Sequence, residues 1–290
     1  MPTEDEVTLE RQSPEEAFAL LSNGLRVRIL RALGESGEPV AFSRLRDAVG
    51  ERDSGKFNYH LGKLVDHLVV HDEDGYRLSI AGRTMYGAIV SGAYTTDAEV
   101  GPFEFEGPCP MCGAEHLVAE YADERARTYC DDCAVWRNEF QFPPASLEQF
   151  DRDELPYAFD RWMHATITKV VYGFCPNCGG RVDGTLDPID DSARPMPLWA
   201  RYDCDRCGET LRSYAPLPVM YQVETIEYFA DHGVDIVNDP SWRYFAGEND
   251  VSIELVSDDP VRARVRFALG DESLVAIVDS DVEIETITTE

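Results

Sequence analysis

The chain of 290 residues carries 26 basic and 55 acidic side chains, a net charge of −29, with a pI near 4.4. Hydrophobic residues make up 43% of it, enough to build packed cores and to exclude wholesale disorder. The longest uncharged stretch, the thirteen residues from Thr84 to Thr96, is too short to cross a bilayer, and the acidic opening MPTEDEVTLE lacks the apolar run of a secretory signal. The expectation is a soluble, cytoplasmic protein of two or three domains with no membrane partner.

Charge is unevenly distributed. Only three of the basic residues are lysines (Lys56, Lys63 and Lys169) and the other 23 are arginines. This carboxylate-dense, lysine-poor composition resembles that of haloarchaeal proteins, which work in multimolar salt. At such salt the Debye length is about 3 Å or less, so the acidity reads as a solvation adaptation with no partner behind it. Residues 13–95 depart from the trend: ten basic and eleven acidic residues leave a net of −1 there and −28 elsewhere. That window is where a polyanion would dock.

In chain order, Ser13-Pro14-Glu15-Glu16 is a capping box that opens a helix with Ala17, Phe18, Leu20 and Leu21. A second helical pattern uses Leu25, Ile29, Leu30 and Leu33 and stops at Gly34 and Gly37. A short third one carries Leu45 and Val49 and ends at Gly50. The fourth has Asp53 as N-cap and Phe57, Leu61, Leu64, Val65 and Leu68 on one face. Val69-Val70-His71 and Tyr76-Arg77-Leu78 then flank Asp74-Gly75 as a hairpin, and a last helix runs from about Ile80 to Tyr94. Three helices, a recognition-type helix, a hairpin and a closing helix make a winged helix-turn-helix over residues 13–95.

The segments ALLSNGLRVRILRAL, FSRLRDAVG, DSGKFNYHLGKLVDHLV and DGYRLS occur in that order. This stretch resembles the ArsR-type winged-helix transcriptional regulators of haloarchaea. The resemblance implies binding to double-stranded DNA and a homodimer formed through the closing helix. It departs from the metal-sensing branch, because Phe42–Val49 contains no Cys-x-Cys.

All eight cysteines lie in residues 100–232, as Cys109-x2-Cys112, Cys130-x2-Cys133, Cys175-x2-Cys178 and Cys204-x2-Cys207. Each pair brings two thiolates to one side of a tight turn, and two turns complete a closed tetrahedral site, which is zinc-ribbon anatomy. Glycine follows the second cysteine at Gly113, Gly179 and Gly208, where a positive φ brings backbone N–H groups to sulfur; Ala134 breaks the pattern. Two structural Zn2+ per chain are expected, with iron and disulfides as the alternatives. A full set of four thiolates leaves no position to activate water. Each half then runs into prolines (Pro143-Pro144; Pro216 and Pro218) and a helix, about Asp153–Val171 and Val219–Asp231. Residues 100–172 and 173–232 thus read as a tandem duplication, each unit a zinc ribbon followed by a helix.

The rest, residues 240–290, alternates with period two through Val251, Ile253 and Leu255, then Ala263, Val265, Phe267 and Leu269. Leu274–Val278 is a continuous apolar run, and Val282, Ile284 and Thr286 alternate again. This is a small antiparallel β-meander of four strands, too small to stand alone and expected to pack on residues 240–245, where Trp242 and Phe245 offer apolar bulk. Arg262, Arg264 and Arg266 face Glu254, Glu283 and Glu285 across its strands and read as ion pairs.

With the apolar stripe of the fourth helix inward, Ser54, Lys56, Asn58, Tyr59 and Lys63 face outward near its start. Recognition helices place such residues on base edges, Asn58 against adenine and Lys56 against guanine or phosphate. Arg44, Arg46, Arg52, Lys63 and Arg77 read as phosphate contacts. His60 fits packing as well as DNA contact. Met85, Ala88, Ile89 and Gly92 suit a dimer seam as well as a core face. His116, His164 and His232 have no metal spacing, and no GxSxG, P-loop, Rossmann fingerprint or HExxH occurs.

The expectation is therefore an α+β multidomain chain that is not an enzyme, a DNA-binding transcriptional regulator. The alternative is a general initiation factor or polymerase-docking adaptor, because a winged helix followed by a zinc ribbon also resembles archaeal transcription factor E. Its partner would then be the transcription machinery.

Overall fold

The computed structural model describes residues 13–188, 198–244 and 250–290, and they divide between Thr96 and Asp97 into two compact units. The first is mainly helical. In α1 (Pro14–Ala19) the Ser13 hydroxyl accepts the N–H of Glu16, as the capping box requires. Asn23 caps α2 (Gly24–Ser36), whose Leu25, Ile29, Leu30 and Leu33 are buried at helical spacing. The helix passes through Gly34, where the sequence predicts a stop, and ends at the left-handed Gly37. Gly34 serves packing: a Cβ there would lie 2.6 Å from the ring of Tyr86.

Next come α3 (Phe42–Ala48) and α4 (Ser54–Gly62), the latter capped by Asp53 accepting from Gly55 and Lys56 N–H groups. The apolar stripe predicts a longer α4, through Leu68. Instead the chain leaves the helix after Gly62 and turns at Asp66, a positive-φ residue, with Leu64 and Leu68 still buried. The turn feeds the hairpin of β1 (Val69–Asp72) and β2 (Gly75–Leu78), and Val40 bridges to Tyr76 on its open side. The closing helix α5 (Ile80–Val90) is shorter than predicted because Gly92, at φ +75°, takes the left-handed turn that ends helices. Met85 and Ile89 pack on this unit's own core, while Ile80, Val90 and Tyr94 are exposed.

Among its described residues the second unit holds three antiparallel sheets. β3 (Val100–Glu106), β4 (His116–Ala122), β5 (Arg125–Tyr129) and β6 (Arg137–Gln141) form the first, in sequence order. α6 (Leu155–Val171) buries Phe159 against Tyr121 and Phe142 of this half. β7 (Asp183–Pro188), β8 (Leu198–Asp203) and β9 (Thr210–Tyr214) form the second sheet. One helix is predicted next; the chain breaks it at Tyr221 and Gln222 into α7 (Leu217–Met220) and α8 (Val223–Asp231). The four-stranded meander follows, with β10 (Asp250–Asp258), β11 (Val261–Leu269), β12 (Glu272–Val278) and β13 (Ile284–Thr289) in sequence order, but Leu255 is exposed beside a bulge and Val282 lies in the turn before β13 at positive φ. Arg262 pairs with Glu285 and Arg264 with Glu254 across its exposed face.

The meander shares its core with Tyr244 of the 240–245 segment, as the sequence predicts, but not with Trp242. It shares one core with the second cysteine unit, where Phe229 meets Phe267 at 5.4 Å and the Leu186 N–H donates to Ser280 O. Gly184 permits the approach, since a Cβ there would lie 2.6 Å from Asp281 O. A four-stranded sheet needs a partner face, and this one is contiguous and apolar. Trp242 goes elsewhere, into a cluster with Cys109, Leu117, Cys130 and Trp136. The buried carboxylate of Asp160 holds that segment to α6 by accepting both the N–H and the O–H of Ser241. Phe245 lies outside the described residues.

Candidate metal centres and nucleic-acid interface

The eight cysteines are all free and fall into two groups of four: Cys109, Cys112, Cys130 and Cys133, then Cys175, Cys178, Cys204 and Cys207. In each group the four sulfurs lie within 4.8 Å of one another. The Sγ–Sγ distances are 3.8 Å for Cys109–Cys133, 3.7 Å for Cys112–Cys130, 3.7 Å for Cys175–Cys207 and 3.6 Å for Cys178–Cys204. A tetrahedron with metal–sulfur bonds of about 2.3 Å has edges of about 3.8 Å, so each group has the dimensions of a closed four-thiolate cage. A disulfide needs about 2.05 Å. Each group could hold a metal ion.

The four knuckles share one backbone design. In each, the N–H of the residue after the second cysteine donates to the carbonyl of the first: Gly113 to Cys109, Ala134 to Cys130, Gly179 to Cys175 and Gly208 to Cys204, at 2.8–3.1 Å. All four donors have positive φ, from +54° at Ala134 to +77° at Gly208. Ala134 thus keeps the conformation that the glycines adopt freely, at a steric cost of about 1–2 kcal/mol. Ala134→Gly is expected to raise stability by about 0.5–1 kcal/mol, the difference left after the glycine's larger chain entropy. Chemical denaturation of the metal-loaded protein would read it, and no gain would mean that the turn is not strained.

The sulfurs are also held from outside the cage. Met111 N–H donates to Cys109 Sγ at 3.4 Å, Gly180 N–H to Cys178 Sγ at 3.3 Å, and the Asn177 amide to Cys207 Sγ at 3.6 Å. Asn177 carried no sequence signal beyond its place inside a knuckle. Burial pushes the Cys109 thiol up to about 12, whereas the Glu209 N–H beside Cys207 brings that thiol down to about 7. Four adjacent thiolates repel, so only a cation lets all of them ionise together, and protons leave as metal enters.

In the first unit, α4 buries Phe57 and Leu61 and exposes Ser54, Lys56, Asn58, Tyr59 and Lys63. Arg44 and Arg52 are exposed and Arg46 half-buried, while Arg77 is exposed on the hairpin. Several of these cations already have partners: Lys56 with Glu51 at 2.8 Å, Arg77 with Asp72 at 3.1 Å and Arg46 with Asp47 at 3.3 Å. Lys63 lies over the Tyr59 ring at 5.7 Å. His60 is half-buried, and burial, with Arg26 and Lys56 nearby, holds its imidazole below the usual value. That shift favours the neutral imidazole. Among the described residues no helix is long and apolar enough to cross a membrane.

Residues 106–284 match the family model described as Domain of unknown function (DUF7351), and residues 14–89 match Domain of unknown function (DUF7347). The first model spans both cysteine groups and nearly all of the meander, within the second unit. No curated protein and no solved structure matches the chain.

Proposed function

We propose that this chain, which belongs to the family described as Domain of unknown function (DUF7351), is a DNA-binding transcriptional regulator braced by two structural zinc ions. The observation that carries the reading is the exposed start of α4. Phe57 is buried against Phe42 at 5.0 Å, and Lys56, Asn58 and Tyr59 on the same helix are exposed, as is Arg77 of the hairpin. The first unit reads as an ArsR-like winged helix-turn-helix, with α4 in the major groove and the hairpin as wing. Its near-neutral charge, against −28 for the rest, supports docking of a polyanion on this face. Zinc suits a closed cage of four thiolates with no open position, and the cage then braces the fold and activates no water.

In this reading Lys56 must leave Glu51 to reach DNA, so Asn58 is the better base reader. Asn58→Ala is expected to relax discrimination at particular base positions by about 1–3 kcal/mol without unfolding the unit. The wider test is genome-wide occupancy of the tagged protein by crosslinking and sequencing. A few sharp peaks sharing a short motif, lost in the Asn58 and Lys56 variants, support a gene-specific regulator. Weak signal at every active promoter, unchanged in those variants, would instead favour a general initiation factor. A colourless protein with two zinc ions per chain is expected, and colour with iron would overturn the metal assignment.

A further inference from the structure

The second unit contains a pocket of about 80 Å³, open to solvent on one side, between the first cysteine group and α7. Its wall is made by Met111 of the Cys109–Cys112 knuckle, Trp136, Met163 of α6, and Leu217 and Met220 of α7. No charged residue lines it among those described, in a chain where 28% of residues are charged. Protein interiors normally close such voids, because unfilled space forfeits dispersion contacts on every side. Water does not replace those contacts, since an ordered water needs two or more polar partners and these walls are apolar. Three methionines on one small concavity are a soft lining that adapts to the shape of a guest.

The polar groups at the rim narrow the choice of guest. Ser241 spends its hydroxyl on Asp160, and the Tyr244 hydroxyl donates to Ile236 O at 2.9 Å. Asn138, half-buried on β6, makes no side-chain hydrogen bond among the described residues. Trp136 and Tyr214 also line the pocket, and Asn138 is the amide there able to orient a guest by both donating and accepting. We infer that this pocket binds a small neutral aromatic group carrying one hydrogen-bonding substituent, with the ring among Met111, Met163 and Met220 and the substituent on the Asn138 amide. At about 80 Å³ the pocket is roughly half the size of an engineered apolar cavity of about 150 Å³ that takes benzene, so it grips one ring in part and leaves the rest of the ligand at its open side. The site does not depend on whether the first unit binds DNA.

Methyl-carbon NMR of the metal-loaded full-length protein with labelled methionines tests this, with phenol and toluene as probes. Phenol is expected to shift the methyls of Met111, Met163 and Met220 along one saturable curve, leaving Met85 of the first unit unmoved. Leu217→Trp, which fills the pocket, should abolish those shifts. Asn138→Leu should weaken phenol about tenfold, to the level of toluene, while toluene stays unchanged. If Leu217→Trp does not fold, the Asn138→Leu comparison decides alone. Unmoved pocket methyls, or shifts in all methionines that rise without saturating, would overturn the assignment.

Discussion

Cys204→Ser is expected to unfold most of the second unit while residues 13–96 keep their structure. Cys204 is 2% exposed and belongs both to a four-thiolate cage and to the largest core, with Tyr202, Phe229, Phe267 and the inner face of the meander. Structural zinc contributes about 10–16 kcal/mol of apparent folding free energy in small zinc domains, against a net stability of about 5–15 kcal/mol for a typical domain. Losing one of four ligands therefore outweighs what packing alone supplies. Metal content should fall from two ions per chain to one, and hydrogen exchange should accelerate across β7–β13 but not in α2 or α4. Cys207→Ser is the control, because that thiol is exposed and its loss removes a ligand without disturbing the core. It should release the same metal and destabilise the same elements nearly as much, the small difference measuring the buried packing of Cys204. A Cys204→Ser protein with two metals and unchanged melting would show that the second cage is not structural.

Trp242→Ala should cost about 3–5 kcal/mol, the usual result of emptying a fully buried large aromatic site. The ring is 0% exposed and touches Phe105 at 5.1 Å and Tyr157 at 5.3 Å. Its indole nitrogen has no partner among the described residues, so the loss is one of packing rather than of a hydrogen bond. For a unit of this size the midpoint of thermal unfolding should drop by about 6–20 °C. The same ring packs in the cluster holding Cys109 and Cys130, so the first cage should lose metal to a chelator faster and the second should not. Trp242→Phe should recover most of the midpoint. Equal metal loss from both cages would mean that Trp242 braces the whole unit and has no particular tie to the first.

Local chemistry was legible in the residues. Cys-x2-Cys spacing implied the knuckles, because two thiolates three residues apart can meet only across a tight turn. Ser13 and Asp53 cap their helices through side-chain oxygens that need nothing distant. Asp74-Gly75 signalled the hairpin, though its two-residue turn is Glu73-Asp74 with Gly75 paired to Asp72, and period-two alternation signalled the meander, since both depend on neighbours within a few residues. Contacts between elements were not legible. Gly34 reads as a helix stop in sequence, and only the approach of Tyr86 makes it a packing site. Ala134 reads as a broken motif, yet the cage enforces a left-handed turn there. Trp242 and the meander are close in sequence and part company in space, because each buries apolar surface against whichever face is open to it. Sequence by itself determined the cages, the caps and the strands, whose causes lie within a few residues. Tertiary structure decided which surfaces meet, because burial is non-directional and its partners are chosen by the shape of the whole unit.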